Sequence, residues 1–452
     1  MGIIKTYQDF MAAATTDDGK KKFIIDAIND HKTSVDYRTA VDADLYAKKQ
    51  NATIRKYQKV LYTMKGEAVP DNYTANHKCA SGFFNLFTTQ LASFELGNGV
   101  TFEKPETKER FGRKADTILY KAVKAALVEK VSFVFFNFDH LEFFRFTEFV
   151  PLFDAEDGGM KAGIRFWQLG KESQLRVTLY ELDGYTEYVM QKDTGTLQEL
   201  KPKRTYKQKI VHTDAGGDQI YPDGNYPDFP IVPMWGNDNH QSELIGLREN
   251  IDCYDLIKSG FANDLDDASM IYWTLENCGG MDDISLAQFV ERMKTLKAAV
   301  VDGNDGAKAT SHTVDVPYQS RETYLRMLSS DLYRDAMALD VSQIAAGAVT
   351  ATQIKAAYEP LNEKADELEM CLFDLFDGLF AVAGIDDTPT FHRSMISNAQ
   401  ERIDLIIESA EWLGDEETIK QICGALGISD KADDIIKQVA LEKQDKFEPE
   451  EE

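Results

Sequence analysis

Cysteine is scarce in this sequence and widely scattered. Only Cys79, Cys253, Cys278, Cys371 and Cys423 occur, an odd count with no CxxC pair. That pattern argues against a disulfide framework and fits a reducing compartment. Long apolar runs are missing as well. The opening MGIIKTYQDF lacks the basic start and apolar stretch of a signal peptide. No segment reaches the roughly 18 apolar residues that span a bilayer, so no membrane partner is expected. Positive charge is short: 50 Lys and Arg face 76 Asp and Glu, a formal net charge of -26. A surface of that sign repels phosphate and argues against simple electrostatic wrapping of DNA.

Catalytic signatures are absent too. A nucleotide-hydrolysing motor needs GxxxxGK[ST], whose backbone amides cradle phosphate. Gly306-Ala307-Lys308 lacks the leading glycine and the following hydroxyl. The seven histidines never stand closer than 28 residues apart, and neither HExxH nor paired Cys/His spacing occurs. Asp302-Gly303-Asn304-Asp305-Gly306 lacks the sixth-position glycine and closing glutamate of a calcium loop, and reads as a turn. Asp264, Asp266 and Asp267 suggest a carboxylate cluster, but helical spacing puts only 264 and 267 on one face. A solvated acidic face is the plainer reading. No catalytic residue, metal site or cofactor is expected, and the chain reads as no enzyme.

What is present is an ordinary globular balance, 43% hydrophobic and 28% charged, with 452 residues to build two or three domains. Three helices are predicted in the first part, over residues 41–65, 76–97 and 116–130. On the first, Lys48, Lys49, Arg55, Lys56 and Lys59 form a basic face, read as solvated. From Val131 to about Lys207 the period shortens. SFVFFNF, FFRFTEFVPLF, GIRFWQLG, QLRVTLYEL and TEYVMQK alternate with turns such as Asp157-Gly158-Gly159 and Asp183-Gly184, the pattern of β-hairpins. A loop follows from about His212 to Pro230. Residues 242–276 hold no proline and carry apolar side chains every three or four positions. They predict one long amphipathic helix of roughly 50 Å, at ~1.5 Å per residue. Gly279-Gly280 ends it. A helix over 285–296, a strand-like AAVVDG, a turn at 303–306 and a helix over 321–339 come next. The break DVSQIAAGAVTAT then leads to a heptad-like stripe, Ile354, Tyr358, Leu361, Ala365, Leu368, Leu372, Leu375 and Leu379, with Pro360 expected to kink its early turns. Three short helices and the acidic tail EPEEE close the chain. No internal repeat is visible. The fold class is α+β, mainly α.

Order and particular strings together resemble the phage portal family, in the branch found in long-tailed phages of Gram-positive hosts. The fullest match is FPIVPMWGNDNHQSELIGLRENIDCYDLIKSGFANDLDD, residues 229–267. It is similar to that family's block of Ile-Pro, an Asn-rich turn, Asp-x-Tyr-Asp, and Ser with Asn-Asp on one helix. EFVPLFDAEDGG, GIRFWQ, VTLYELDGYTEYV, ELEMCLFDLFDGLFAVAGI and EETIKQICGALGISDKADDIIKQVALEKQ fit in the same order.

The resemblance implies a portal-type fold with wing, two-helix stem, clip, tunnel loop and helical crown, in a twelve-subunit ring around an axial channel. Segment by segment it implies an N-terminal arm at 1–40, the wing with its β-rich part at 41–235 and a stem helix at 236–277. The clip follows at 278–318, a second stem helix at 319–339, the tunnel loop at 340–350, a long wing helix at 351–384, and crown with acidic tail at 385–452. The tunnel loop comprises Asp340, Val341, Ser342, Gln343, Ile344, Ala345, Ala346, Gly347, Ala348, Val349 and Thr350. Where the family often has Ser-Gly before the next helix, this chain has Ala346-Gly347-Ala348-Val349-Thr350. The implied partners are other copies of the chain, the terminase large subunit, a head-completion adaptor, major capsid and scaffolding proteins, and double-stranded DNA in the channel. The implied location is the virion's portal vertex, after assembly in the host cytoplasm.

Elementary physics points the same way. Two helices joined by an insertion form a hairpin that can line a tube, and ring closure buries apolar stripes that one subunit leaves uncovered. Three alternatives fit less well. A terminase or nuclease needs a phosphate loop or clustered carboxylates. A scaffold or another head-tail connector leaves the β-rich block unexplained. A cellular coiled-coil protein needs heptads sustained beyond one helix.

Overall fold

The computed structural model describes residues 5–63, 65–72, 74–170, 173–213, 217–268, 272–276, 291, 308–312, 318–342, 351–394, 406–425, 432 and 435–439. The chain divides into two units: Met1–Leu339 with Pro360–Phe391, and Asp340–Glu359 with His392–Glu452. Helix and sheet are mixed, in keeping with an α+β class.

In the first unit the aromatic strings become two antiparallel sheets. The larger is a meander of Phe149–Phe153, Met160–Trp167, Arg176–Glu181, Gly184–Met190 and Leu197–Arg204. Strand residues alternate sides, so Ala162, Ile164, Phe166, Val177, Leu179 and Tyr188 all reach one face. Two N-terminal helices, Tyr7–Ala13 and Asp17–Thr33, cover that face with Phe10, Phe23, Ile24, Ala27 and Ile28. The residues expected as an arm are therefore a packed layer. Their starts are encoded locally: Thr6 and Asp9 form a capping box, and Thr16 Oγ1 accepts the Gly19 N–H.

The smaller sheet orders Ile231–Trp235, Val131–Asn137 and His140–Arg145. Its central strand is buried from Val131 through Phe136. Phe133, Phe144 and Phe149 meet where the sheets join, with ring centroids 4.4 Å apart for Phe133–Phe149 and 5.8 Å for Phe144–Phe149. Gly163 lies under the Phe149 ring, where an added Cβ would stand 2.1 Å from the ring tip. That close approach explains the glycine heading GIRFWQ. The helix Ala115–Glu129 packs on the same sheet, and its last residue, Glu129, is 1% exposed. There Arg145 pairs with Glu129 and Asp44, while the N–H and hydroxyl of Thr147 donate to the Glu129 carboxylate.

The helix Ala351–Ala383 runs through Pro360 without ending, and the unit boundary falls at that proline. From Leu361 onward its stripe is buried: Leu361, Ala365, Leu368, Leu372, Leu375 and Leu379. Gly378 lets it approach Val232, whose Cγ1 lies 2.6 Å from where a Cβ would stand. The second unit contains the helices Ala410–Leu413 and Asp415–Ala425 and helical turns at 435–439. The acidic tail lies outside the described residues, as do the expected turn at 303–306, the AAVVDG strand and, but for helical residue 291, the helix over 285–296.

Four sequence expectations are corrected. The helix expected over 41–65 is broken. Val35–Ala47 stops before Lys49, whose φ is 57°, and Asn51 starts a new helix, Ala52–Lys56, by accepting the Thr53 and Ile54 N–H groups. Val60–Tyr62 then pairs with Ala68–Pro70 as strands. The second helix begins at Phe83, after Gly82, instead of near residue 76. Residues 217–224, expected in a loop, form the strand Gly217–Gly224 paired with Lys207–Thr213. The long helix over 242–276 shortens to Arg248–Ala268, 21 residues and about 31 Å. Gly246, with φ 89°, interrupts its start. Its expected end, rich in aromatic and β-branched side chains, becomes the strand Tyr272–Glu276.

Candidate functional site

The helices Arg248–Ala268 and Tyr318–Asp335 pack against each other. Asn250 donates to Asp335 at 3.1 Å, and Asp264 near the opposite end pairs with Arg321, so the two run antiparallel. Beyond them Tyr272–Glu276 and Lys308–His312 pair antiparallel, from Tyr272↔His312 to Glu276↔Lys308. In chain order, a pair of antiparallel strands thus stands between two antiparallel helices. Leu244, Leu247 and Ile251 pack with Ala43, Tyr46, Phe84, Phe87 and Leu332. On the outside Leu256, Leu265, Tyr318, Tyr324 and Met327 are 39–57% exposed.

Past Ile251 the buried face of the first helix turns polar. Asp255, Ser259 and Asn263, four residues apart, are each no more than 5% exposed. Asp255 Oδ1 accepts the Ser81 N–H at 2.8 Å, Ser259 Oγ the Cys79 N–H at 2.9 Å, and Asn263 Oδ1 the His77 N–H at 2.7 Å. Four residues of helix rise ~6 Å, and two residues of extended chain advance nearly as far, ~6.6 Å. Helix side chains therefore meet alternate amides of the incoming segment in register, a side-chain ladder in place of a neighbouring strand. These amides have no strand partner, and burying them unpaired would cost about 1–3 kcal/mol each.

The upper rung extends into a network. Asn51 Nδ2 donates to Asp255 Oδ2 at 2.8 Å and to Asp252 Oδ1 at 2.9 Å, and Tyr46 Oη donates to Asp252 Oδ1. Burial pushes the Asp255 carboxyl above its ordinary range; its bonds from Asn51 and Ser81 oppose this and Asp252 adds to it. Burial, reinforced by Asp252, pushes Tyr46 up to about 12. The Asp-x-Tyr-Asp, Ser and Asn-Asp string thus serves to clamp segment 77–81 onto the helix.

The acidic trio is not gathered. Asp264 pairs with Arg321 and Asp266 with His77, on different partners, while the Asp267 side chain lies outside those described. Among the described residues no group of three His, Cys, Asp or Glu side chains is placed to hold a metal ion, and no helix is long and apolar enough to cross a membrane. The expected basic face is dispersed as well. Lys48 pairs with Asp44 at a helix end, Arg55 sits on the next helix, and Lys59 reaches Thr74 from beyond it.

Of the eleven expected loop residues, Asp340, Val341 and Ser342 are described. Asp340 Oδ1 accepts the Ser342 N–H at 3.0 Å and its hydroxyl at 2.6 Å, and Val341 is 50% exposed. Gln343, Ile344, Ala345, Ala346, Gly347, Ala348, Val349 and Thr350 lie outside the described residues. One contact that sequence reasoning missed sits just before them. The Gln90 side-chain amide, on the helix Phe83–Leu96, donates to the Leu339 carbonyl and accepts the Leu339 N–H, both at 3.0 Å. Nothing in the local sequence marks Gln90, which stands 249 residues from its partner.

The sequence matches the family described as phage portal protein, SPP1 Gp6-like, over residues 137–446. It is similar to the portal protein of Clostridium phage phiCD119, 27% identical over 250 residues, 51% of this chain and 55% of the relative. It is also similar to the portal protein of Bacillus phage SPP1, 24% identical over 386 residues, 78% of this chain and 74% of the relative. The chain thus spans about half the length of the first of these relatives and about three quarters of the second. Among solved structures, a chain from the virion of a native gene transfer agent particle aligns with TM-score 0.40 and 13% identity, covering 75% of this chain and 87% of that one. A chain from the neck of an empty gene transfer agent particle gives 0.42 and 12%, covering 75% and 89%.

Proposed function

The chain belongs to the SPP1 Gp6-like phage portal protein family, and from that premise we propose that it is a subunit of the ring through which DNA enters and leaves the capsid. The observation that carries the reading is the family match across residues 137–446, which includes both antiparallel helices and both strands between them. Exposed Leu256, Leu265, Tyr318, Tyr324 and Met327 support it, because copies of the chain arranged in a ring would cover such side chains. In this reading the helices Arg248–Ala268 and Tyr318–Asp335 are the stem, and the strands Tyr272–Glu276 and Lys308–His312 begin the clip. The wing spans about 41–235 and recruits the N-terminal helices as part of its own core. Residues 340–350 form the tunnel loop, 351–384 the long wing helix, and 385–452 the crown.

The ring has twelve copies in the virion. Its clip docks the terminase large subunit during packaging and the head-completion adaptor afterwards, its wing contacts capsid and scaffolding proteins, and DNA passes along the axis. The terminase supplies the energy and the portal performs no catalysis. Assembly takes place in the host cytoplasm and the product resides at the portal vertex. Native mass spectrometry of the purified chain, with electron microscopy down the particle axis, tests this directly. A closed ring with a central hole is expected. Monomers or dimers alone, across a range of salt and concentration, would overturn it.

A further inference from the structure

Where the chain departs for the segment beginning at Asp340, two independent devices hold it. The first ends the helix Tyr318–Asp335. The Ala336 N–H donates to the Leu332 carbonyl, the Met337 N–H to Arg334 and the Ala338 N–H to Tyr333, at 3.0, 3.1 and 2.9 Å. These are the bonds of a Schellman cap, with Met337 in the left-handed position at φ 51° that glycine usually fills. The second device is the Gln90 amide. It engages both the N–H and the C=O of Leu339, as a neighbouring strand would, and Leu339 itself is 5% exposed. Gln90 is carried mid-helix on Phe83–Leu96, whose Phe84, Phe87 and Leu91 are buried, so its anchor is rigid. Leu339 is also the last residue of the first unit before the chain passes to the second.

The geometry points to Gln90 as a positioning residue of the channel: its two hydrogen bonds fix the backbone of Leu339, from which the chain enters the tunnel-loop segment at Asp340. This rests on the portal reading and adds a residue to it. The N–H and C=O of buried Leu339 each need a partner, and Gln90 supplies acceptor and donor in one plane from a single side chain, tying the backbone there to the helix Phe83–Leu96. Asn, one methylene shorter, would not reach.

The test uses rings of the full chain. Gln90→Leu keeps the volume and removes both bonds. Gln90→Glu keeps the acceptor for the Leu339 N–H and loses the donor for its carbonyl. Ring yield and melting are read first, then amide hydrogen exchange of peptides spanning Leu339, then the length of DNA packaged and retained by procapsids built with each variant. Expected are rings in wild-type yield, exchange about tenfold faster for Gln90→Leu, a several-fold loss of retained DNA, and intermediate behaviour for Gln90→Glu. Unchanged exchange, or faster exchange with wild-type DNA retention, overturns the proposal. Failure of both variants to form rings also does so, since the contact would then be ordinary core. A parallel variant, Gln343→Lys with Ala346→Lys, tests the underlying reading. If it packages normally, the channel assignment of 340–350 fails whatever Gln90 does. If it stalls DNA while Gln90→Leu does not, only the positioning role fails.

Discussion

The aromatic sheets and the inner face of the helix Arg248–Ala268 are both buried, by opposite means. Around Phe149 the sheets hold together through apolar side chains whose attraction is non-directional. Along Asp255, Ser259 and Asn263 the helix is held by three aimed acceptors, each on one particular amide. Burial of the first kind tolerates changes of shape within a volume, but losing a large ring is costly. Burial of the second kind contributes little net energy per bond, and exacts its cost when one partner is removed and the other stays buried. The sheets therefore supply stability, while the ladder supplies register.

The largest effect expected is from Phe149→Ala. The ring is fully buried between Phe133 and Phe144, and its loss should cost about 3–5 kcal/mol. Urea denaturation of the purified protein reads this. A loss under about 1 kcal/mol would mean that the sheets do not carry the stability assigned to them.

His31 sharpens the aromatic side of the comparison through pH. It sits among Tyr37, Phe146 and Phe166, and burial lowers it to about 4. Its Nε2 lies 2.9 Å from the Phe146 carbonyl and so must carry the proton there. The folded state refuses a second proton that the unfolded chain accepts near pH 6.5. The stability is therefore full above about 6.5 and is lost progressively as pH falls toward 4, on the order of 3 kcal/mol in all. His31→Gln keeps a donor and cannot titrate. Its stability should fall less than wild type between pH 7 and 4.5. Parallel curves would remove His31 from the account.

On the polar side, Asp255→Ala leaves the Ser81 N–H and one Asn51 bond unanswered, and about 2 kcal/mol should be lost; Ser259→Ala should cost about 1. The discriminating measurement is hydrogen exchange. Both variants should speed exchange within 77–81 while leaving the sheet strands protected. Uniform acceleration across the protein would show that the ladder is ordinary core rather than a local register device.

This contrast also explains what was legible in the sequence. Period-2 alternation and dense Phe placed the strands from Val131 to Met190, since apolar burial leaves a periodic trace. The stripe from Leu361 to Leu379 was equally plain. The shortening of the long helix was not, because period 3.6 continues through Leu244 and Tyr272 while Gly246 and the strand partner at 308–312 decide the ends. Segment 77–81 was read as helix for a similar reason: its amides are satisfied by side chains some 180 residues away. The family resemblance singled out Asp252, Asp255, Ser259 and Asn263 as a string without their purpose, and Gln90 left no trace at all. Apolar cores write themselves into composition, and aimed polar contacts do not.

The smallest effect, and the one that isolates backbone from side chain, is expected at Met337. Its φ of 51° puts a Cβ in the left-handed region, at a cost of roughly 1–2 kcal/mol for a non-glycine residue. Met337→Gly removes that strain. Against it stands the greater freedom glycine gives the unfolded chain, about 0.5–1 kcal/mol, and the loss of a partly buried side chain. The terms nearly cancel, and a net change of no more than about 0.5 kcal/mol in either direction is expected. Gly184 sets the opposite limit. Its φ is 138° and an added Cβ would lie 2.1 Å from the Arg204 carbonyl oxygen, so Gly184→Ala combines strain with collision and has no offsetting gain except chain entropy. Denaturation of both variants compares the same backbone constraint with and without room for a side chain. If Met337→Gly proved strongly destabilising, the Met337 side chain would itself be holding the chain end at Leu339, in addition to the backbone cap and the Gln90 clasp.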